Sequence, residues 1–183
     1  GIETNTVSLG SNVVFCEITI PEDSCNLGSE GSGNGGGGGG STDPEDADDD
    51  GVPDTEDDYP DDAERAFNNY YPNKNDFGTL AYEDLWPSKG DYDFNDLVLD
   101  FHYKIVTNAE NLIVDIIAKT HVRAAGATMN NGFGIAFPVA PENCGEVSGY
   151  VHAENNLDIN AKGYENGHTE NTVVIFYDAV NSI

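Results

Sequence analysis

Two long runs of alternating side chains, joined by a short polar turn, constrain the fold of this 183-residue chain more than any other feature. Apolar and polar residues alternate between Leu97 and Ile105, and again between Leu112 and Val122. Successive side chains of a β-strand point to opposite faces, so this period of two predicts a long β-hairpin with one buried face. A turn at residues 107–111 pairs His102 with Ile116 in that hairpin.

The rest of the C-terminal half also has a β pattern. Strands are predicted at Gly132 to Val139, Gly145 to Ala153 and Thr172 to Val180, with Gly, Asn and Pro between them. One short helix is predicted near Asp61 to Asn69, where acidic residues favour a helix start. Many antiparallel strands and almost no helix predict an all-β fold, an antiparallel β-sandwich of jelly-roll-like type.

Composition divides the chain into four segments. The first contains the apolar, β-branched run from Val7 to Ile20, which predicts one strand or a short pair. Because so short a segment cannot form a core, it must pack on the later domain or on a neighbouring molecule, or belong to something removed. The segments are an N-terminal strand region (1–27), a glycine-rich flexible linker (28–42), an acidic segment (43–66) and the β-sandwich (67–183).

The sequence stops at Ile183, directly after a predicted strand. An unfinished sandwich exposes an open edge, and proteins rarely leave long apolar edges uncovered. We therefore expect a truncated sandwich, or one completed by a strand from elsewhere.

The charge balance excludes several classes of partner. The chain has 34 acidic and 7 basic residues, which gives a formal net charge of −27. So negative a surface repels phosphate backbones and anionic lipids, and no basic patch offsets it. No apolar run approaches the roughly 20 residues needed to span a bilayer. We therefore expect no nucleic-acid partner and no membrane insertion.

The acidic segment contains oxygen ligands at calcium-binding spacing. In DADDDGVPDTED, aspartates occupy positions 1, 3, 5, 9 and 12 of a twelve-residue loop, and Gly51 at position 6 permits the sharp turn. Position 12 is Asp rather than Glu and no helix precedes the loop, so this is not a full EF-hand. The alternative is a solvated acidic spacer. The predicted ligands are Asp46, Asp48, Asp50, the carbonyl of Val52, Asp54 and Asp57.

A second acidic group lies directly before the long hairpin, in AYEDLWPSKGDYDFNDLVLDF. Carboxylates this crowded must either raise their pKa values or share a cation. The spacing departs from the EF-hand pattern beyond Asn95, so we predict a second calcium site of irregular geometry. The alternative is a hydrogen-bonded acidic turn that caps the hairpin. The predicted ligands are Glu83, Asp84, Asp91, Asp93, Asn95 and Asp96.

These motifs resemble two known families. Asp46 to Asp57 and Pro60 resemble the DxDxDGxxDxxDxxP pattern of a thrombospondin type 3 repeat, with Tyr59 where that family usually has Cys. From Asp46 to Pro138, the stretches GVPDTEDDYPDDAERAFNNYYP, GTLAYEDLWPSKGDYDFNDLVLDF and VRAAGATMNNGFGIAFP resemble the LruC domain family, also known as the DUF4842 type. This resemblance implies a bacterial, exported, β-rich domain preceded by a calcium repeat, with no established enzymatic activity.

Three cysteines permit at most one intramolecular disulfide. Because other features point outside the cell, we favour a bridge between Cys16 and Cys25. The alternative is three ordinary thiols.

No arrangement of residues typical of an enzyme is present. The acidic residues cluster at calcium-like spacing rather than facing one another from separate strands, and no GxSxG motif occurs. The four histidines lack the spacing of metal ligands and are expected on the surface. An aromatic group is interpreted as packing the calcium loop onto the sandwich, with a sugar-stacking surface as the alternative: Phe67, Tyr70, Tyr71, Phe77, Tyr82 and Trp86.

The sequence therefore predicts a non-enzymatic, calcium-binding structural or adhesion domain of a bacterial surface protein, with Ca²⁺ as its bound ion. Surface proteins, glycans or other copies of the chain are the expected partners, outside the cell. Two alternatives stay open. One is a filament subunit whose N-terminal strand inserts into the next molecule, and the other is a carbohydrate-binding module.

Overall fold

The computed structural model describes the backbone of residues 14–19 and the whole of residues 45–183, apart from the side chain of Ser182. The predicted linker, residues 28–42, lies outside this part of the chain. So does the predicted disulfide, because it needs Cys25 and the side chain of Cys16.

The described residues form eight β-strands in two antiparallel sheets. The larger sheet has the strand order β2-β4-β5-β1-β7, with β3 also paired to β4, and the smaller sheet consists of β6 and β8. The all-β fold predicted from the sequence is confirmed. The strands are β1 (Val14–Thr19), β2 (Phe67–Tyr71), β3 (Gly78–Tyr82), β4 (Leu97–Thr107), β5 (Ile113–Ala124), β6 (Phe133–Phe137), β7 (Val147–Ser148) and β8 (Thr172–Tyr177).

The long hairpin of β4 and β5 is the centre of the larger sheet. Its register differs from the prediction, because His102 pairs with Lys119 and not with Ile116. The strands continue to Thr107 and Ile113, and the side chain of Asn108 accepts a hydrogen bond from the backbone of Leu112 at 2.9 Å. The turn therefore lies one residue later in the chain than predicted, which shifts the register by two residues, and a β-bulge between Val106 and Thr107 adds the third.

Two short strands lie end to end along the outer edge of β4. β2 pairs with its C-terminal half, from Tyr103 to Thr107, and β3 pairs with its N-terminal half, from Leu97 to Phe101. The acidic loop precedes β2, and the second acidic group lies between β3 and β4. This edge of the sheet therefore holds both candidate metal groups.

The hydrophobic core lies between the two sheets. Leu99 and Ala118 from the hairpin and Val174 and Phe176 from β8 are fully buried in one cluster. Phe133 of β6 packs against Phe176 with ring centroids 5.5 Å apart. The alternating residues predicted to face inward form the core from Leu97 to Phe101 and from Val114 to Val122, as their period of two requires, whereas Tyr103 and Ile105 are only half-buried.

β1 lies inside the larger sheet and not at its edge. It pairs antiparallel with β5 along its whole length, and Glu17 and Ile18 also pair with β7. Of the locations considered for the N-terminal run, the structure places residues 14–19 on the later domain of the same chain.

The predicted helix from Asp61 to Asn69 is wrong. Tight turns occupy the first part of this segment, and β2 begins at Phe67. The backbone N–H of Ala66 donates to the carbonyl of Thr107 at 2.8 Å, so pairing with β4 takes the groups that a helix would use. Within residues 14–19 and 45–183, helical structure is limited to 3₁₀ turns at Pro141–Asn143 and Val180–Ser182, and no helix there is long and apolar enough to cross a membrane.

Candidate metal centre

The acidic loop brings three carboxylates to one point. Asp46, Asp48 and Asp50 each place an oxygen within 4.8 Å of the others. Two residues with left-handed backbone, Asp49 at φ 62° and Gly51 at φ 93°, let the chain turn tightly enough for this. Aspartate tolerates such a conformation better than most residues, and glycine adopts it without strain.

Four carboxylates of the loop each divide their two oxygens between two environments. One oxygen accepts a hydrogen bond from a backbone N–H that follows in the chain. The other is buried and has no hydrogen-bond partner: Asp46 Oδ1, Asp48 Oδ2, Asp50 Oδ2 and Asp57 Oδ2. The backbone donors are Gly51 to Asp46 at 3.1 Å, Asp50 to Asp48 at 3.2 Å, Val52 to Asp50 at 2.7 Å and Tyr59 to Asp57 at 2.6 Å.

Buried oxygens without partners are rare, because each loses its hydration without compensation. Here four such oxygens belong to one loop, and all four are anionic acceptors. A cation bound among Asp46, Asp48 and Asp50 would satisfy three of these oxygens. The donor set, made of hard carboxylate oxygens, is the kind that Ca²⁺ binds.

Asp57 is electrostatically part of this group. Burial raises the pKa of its carboxyl, and the negative charges of Asp50 and Asp48 raise it further, against a hydrogen bond from Tyr59 that lowers it. The charges of Asp48 and Asp50 therefore act on Asp57 although it follows them by several residues. Asp57 is therefore coupled by charge to this group, whereas the aspartates whose oxygens converge are Asp46, Asp48 and Asp50.

The two remaining predicted ligands of the loop have other visible contacts. Asp54 Oδ1 accepts the N–H of Ala47 at 2.8 Å, and Asp54 N–H donates to the carbonyl of Glu45 at 2.8 Å. These two bonds close the loop across its ends. Val52 is half-buried, and its N–H donates to Asp50.

The end of the loop is attached to the sheet. The N–H of Asp58 donates to the carbonyl of Ala66 at 2.9 Å, and Asp58 Oδ2 accepts the N–H of Asn68 at 2.8 Å. The Tyr59 hydroxyl donates to Asn68 Oδ1 at 2.6 Å, and the Lys104 ammonium lies 5.3 Å from the centre of the Tyr59 ring. Hydrogen bonds from Asp58 and Tyr59 therefore hold the end of the loop against β2.

An ion pair that the sequence did not predict fixes the segment after the loop. Arg65 Nε donates to Asp115 Oδ2 at 2.7 Å, and Arg65 Nη1 donates to Asp62 Oδ2 at 2.9 Å. The Asp115 side chain on β5 is 5% exposed. The hydrogen bond from the Arg65 guanidinium anchors residues 58–66 across the sheet, and its partner carboxylates raise the pKa of Arg65 against the effect of burial.

The second acidic group is smaller than predicted and more open. Glu83, Asp91 and Asp93 place oxygens within 4.8 Å of one another, with Asp91 and Asp93 exposed. Glu83 Oε1 accepts the N–H of Phe94, and Asp93 Oδ2 accepts the side-chain amide of Asn95. No buried oxygen without a partner is found in this group, within the part of the chain described.

Asp84 and Asp96 lie outside that group of three. The N–H of Asp84 donates to Asp96 Oδ2 at 2.9 Å. Desolvation and the nearby Asp96 carboxylate raise the pKa of Asp84. The structure therefore divides the six predicted ligands into a cluster of three, a carboxylate pair, and an amide, Asn95, that is hydrogen-bonded to the cluster.

Two predictions are wrong in part, one that the histidines lie on the surface and one that the aromatic residues pack the acidic loop onto the sandwich. His102 is buried, and its Nε2 lies 3.0 Å from the carbonyl of Asn73. The aromatic residues expected to pack the calcium loop onto the sandwich are largely in solvent, because β2 and β3 form an edge with one open face. The exposed members are Tyr71, Phe77, Tyr82 and Trp86.

The aromatic side chains around the second acidic group form a pocket of about 430 Å³. Sequence reasoning did not identify it, although the closely spaced aromatic and acidic residues between Tyr82 and Phe94 were visible. Its lining consists of Ala81, Tyr82, Glu83, Trp86, Ser88, Tyr92 and Phe94.

Comparison with known proteins gives one family match, over part of the chain. Residues 111–183 match a family described as Domain of unknown function (DUF4842). This confirms the DUF4842 part of the resemblance, and the match runs from the hairpin turn through β8. Both acidic groups precede residue 111 and lie outside it. No curated protein and no solved structure matches the chain.

Proposed function

We propose that this protein is a non-enzymatic calcium-binding domain that serves as a structural or adhesive part of a bacterial surface protein. The observation that carries the proposal is the set of four buried carboxylate oxygens without partners in the loop from Asp46 to Asp57. In this proposal the loop is a thrombospondin type 3-like repeat, and the β-sandwich is an LruC-type domain of an exported protein.

The chemistry of the loop favours calcium over other common ions. The donors are carboxylates, with neither thiol nor imidazole among them, and this disfavours zinc and copper. Magnesium demands a compact octahedral shell and keeps several waters, whereas calcium accepts more protein oxygens in an irregular arrangement. Ca²⁺ would supply positive charge at the point where the aspartates converge.

A structural role follows from how the loop is attached. Ca²⁺ would offset the repulsion between the aspartates and so favour the folded loop, whose end is tied to β2 through Asp58 and Tyr59. Extracellular calcium modules typically have Kd values of about 10⁻⁴ to 10⁻³ M, which matches millimolar calcium outside cells. The domain would thus be stabilised where calcium is abundant.

The experiment is a calcium titration by isothermal calorimetry, with bound metal counted by elemental analysis. Asp48→Asn removes one converging carboxylate, and Asp49→Asn removes the same charge from an exposed residue of the same loop whose left-handed backbone Asn also tolerates. We expect Asp48→Asn to weaken binding at least tenfold and Asp49→Asn to change it less than threefold. Equal losses in the two variants would mean that calcium is attracted only by net charge. Magnesium at the same concentration is the ion control.

The second acidic group stays a predicted calcium site on its spacing alone. It lacks buried oxygens without partners, so the proposal for the acidic loop does not depend on it.

A filament subunit is a second candidate, favoured by the position of β1. This strand lies between β5 and β7 and is joined to the rest of the domain by residues 20–44. Fully extended, these 25 residues span at most about 80 to 90 Å, enough for β1 to reach the same position in a neighbouring molecule. Such an exchange would be strand addition between copies of the chain.

Strand exchange has its own test. A chain lacking residues 1–27 should be destabilised, and a synthetic peptide of residues 7–20 should restore its melting temperature, whereas a scrambled peptide should not. The full chain should form oligomers at high concentration in calcium, measured by light scattering after size exclusion. A strict monomer whose stability does not change on deletion would exclude the filament.

A further inference from the structure

The pocket beside β3 has aromatic walls and a carboxylate, and its ligand has to match both. The faces of Trp86, Tyr92 and Phe94 are exposed by 76%, 55% and 54%, although large aromatic side chains are usually buried. Its volume of about 430 Å³ lies in the usual range for small-molecule sites, roughly 300 to 1,000 Å³. Solvent-exposed rings gathered around one concave site indicate a binding surface rather than core.

The loop that carries these rings is held in an unusual conformation. Tyr92 and Phe94 both have left-handed backbone, at φ 58° and 55°, which is uncommon for large residues. The N–H of Phe94 donates to the Glu83 carboxylate at the end of β3, which fixes the loop against the strand. Residues kept in such conformations occur preferentially at functional sites, because the surrounding structure must hold them there.

The charge of the pocket excludes anionic ligands. Glu83 lines it, and the carboxylates of Asp91 and Asp93 lie within 4.8 Å of Glu83 oxygen. Neither lysine nor arginine is among the lining residues. The chain as a whole carries a formal charge of −27, which raises the local concentration of cations.

The negative charge of the pocket favours a cation over a neutral sugar. The lining side chains offer hydroxyl groups on Tyr82, Ser88 and Tyr92 and the indole N–H of Trp86 to either ligand, but only a cation gains from the charge of the Glu83 carboxylate. An alkylammonium group needs only acceptors and aromatic faces. Cations of this type are attracted to the faces of Trp, Tyr and Phe by the ring quadrupole, most strongly to Trp.

We propose that the pocket formed by Tyr82, Glu83, Trp86, Tyr92 and Phe94 binds the alkylammonium group of an organic cation. The aromatic faces surround the methyl or methylene groups next to nitrogen, and the Glu83 carboxylate supplies the counter-charge. This site is distinct from the acidic loop at residues 46–57, and it stands whether or not that loop binds calcium. It shares Glu83 with the second predicted calcium site, so an ion bound there would compete with the organic cation. The same chemistry is offered by free quaternary amines and by lysine side chains.

The parent chain alone provides the decisive comparison. Trp86 is its one tryptophan, so intrinsic tryptophan fluorescence reports directly on the pocket. Choline is titrated against 3,3-dimethyl-1-butanol, which has the same shape without charge, at constant ionic strength and with EGTA present. We expect saturable binding of choline and at least tenfold weaker binding of the alcohol. Equal affinities, or no saturable response to choline, would overturn the proposal.

A second ligand distinguishes the two sources of the ammonium group. Nα-acetyl-lysine amide carries a primary ammonium on a lysine side chain. Tighter binding of this amide than of choline would assign the pocket to a lysine of a protein partner, and the reverse would assign it to a free quaternary amine. Saturable binding of cellobiose or maltose in the absence of choline binding would replace the proposal with a carbohydrate site.

Two variants locate the interaction. Glu83→Gln should weaken choline binding at least fivefold, whereas Glu110→Gln makes the same change of charge at the exposed far turn of the hairpin and should change it less than twofold. Phe94→Leu keeps an apolar side chain but removes a ring face, and should weaken choline about three- to tenfold without affecting the alcohol. If Glu110→Gln weakened binding as much as Glu83→Gln, the attraction would be due to net charge and the site would be refuted.

Discussion

Neutralising one converging aspartate should stabilise the protein when calcium is removed and should reduce the further stabilisation that calcium adds. Asp46, Asp48 and Asp50 hold oxygens within 4.8 Å of one another, so each pair of ionised carboxylates repels by about 0.9 kcal/mol in a water-like dielectric and by about 3.5 kcal/mol at the effective dielectric of a protein surface. Asp48→Asn removes two of these three pairs. The calcium-free variant should therefore unfold with a free energy about 1 to 3 kcal/mol higher than the parent, after allowance for screening by salt.

Calcium should stabilise the variant less than it stabilises the parent. A ligand at 100 times its Kd stabilises the folded state by about 2.7 kcal/mol, and a tenfold weaker Kd lowers this to about 1.4 kcal/mol, so the variant should lose about half of the calcium contribution or more. The loop is tied to β2 through Asp58 and Tyr59, so both effects should reach the cooperative unfolding of the sheet.

The assay is urea denaturation followed by circular dichroism, in EGTA and in 10 mM calcium, for the parent, Asp48→Asn and Asp49→Asn. Asp49 is exposed and lies outside the converging group, so its variant should change stability by less than about 0.5 kcal/mol in either condition. If Asp48→Asn were less stable than the parent in EGTA, or if calcium stabilised both chains equally, electrostatic repulsion would not be what calcium offsets, and the reasoning would fail.

Three further predictions concern other charged groups. Arg65→Ala leaves Asp115 buried without its partner, so chemical denaturation should show a loss of about 2 to 4 kcal/mol, largely recovered in the double variant with Asp115→Asn. Burial acts to raise the pKa of Asp178, but hydrogen bonds from the N–H groups of Ala153 and Glu154 hold it below the usual value. Its contribution is therefore present at neutral pH and lost as pH falls through its folded-state pKa, so the stability gap between parent and Asp178→Asn should close below about pH 4. The pKa of Asp57 is raised, so protonation of this carboxyl favours the calcium-free fold. Calcium binding should therefore release protons, which calorimetry near pH 5 in buffers of different ionisation enthalpy measures. Asp57→Asn should release fewer protons than the parent.

The sequence by itself determined the features that depend on local spacing. The period of two from Leu97 to Val122 predicted the central hairpin and its buried face, because strand geometry alone decides which side chains share a face. The converging aspartates were also predictable, since alternate residues of a tight loop built around Gly51 approach one another without help from the rest of the fold.

Features that depend on contacts between distant segments were decided only by the tertiary structure. The alternating pattern of β5 places Asp115 on the outward face of the sheet. In the structure Asp115 is buried, and Arg65, fifty positions earlier in the chain, pairs with it. The same ion pair and the pairing of β2 with β4 replaced the predicted helix near Asp61, because sheet formation satisfies backbone groups that a short helix would satisfy less well.

The aromatic pocket shows the limit of sequence reasoning most clearly. Composition favoured a core role for Tyr82 and Trp86, since large rings are usually buried. Their exposure follows from the placement of β3 at an edge of the sheet and from the left-handed backbone of Tyr92 and Phe94, which turns the loop so that its rings line a pocket. Neither property is encoded by residue spacing, because each depends on which strands pair and on where the loop is anchored.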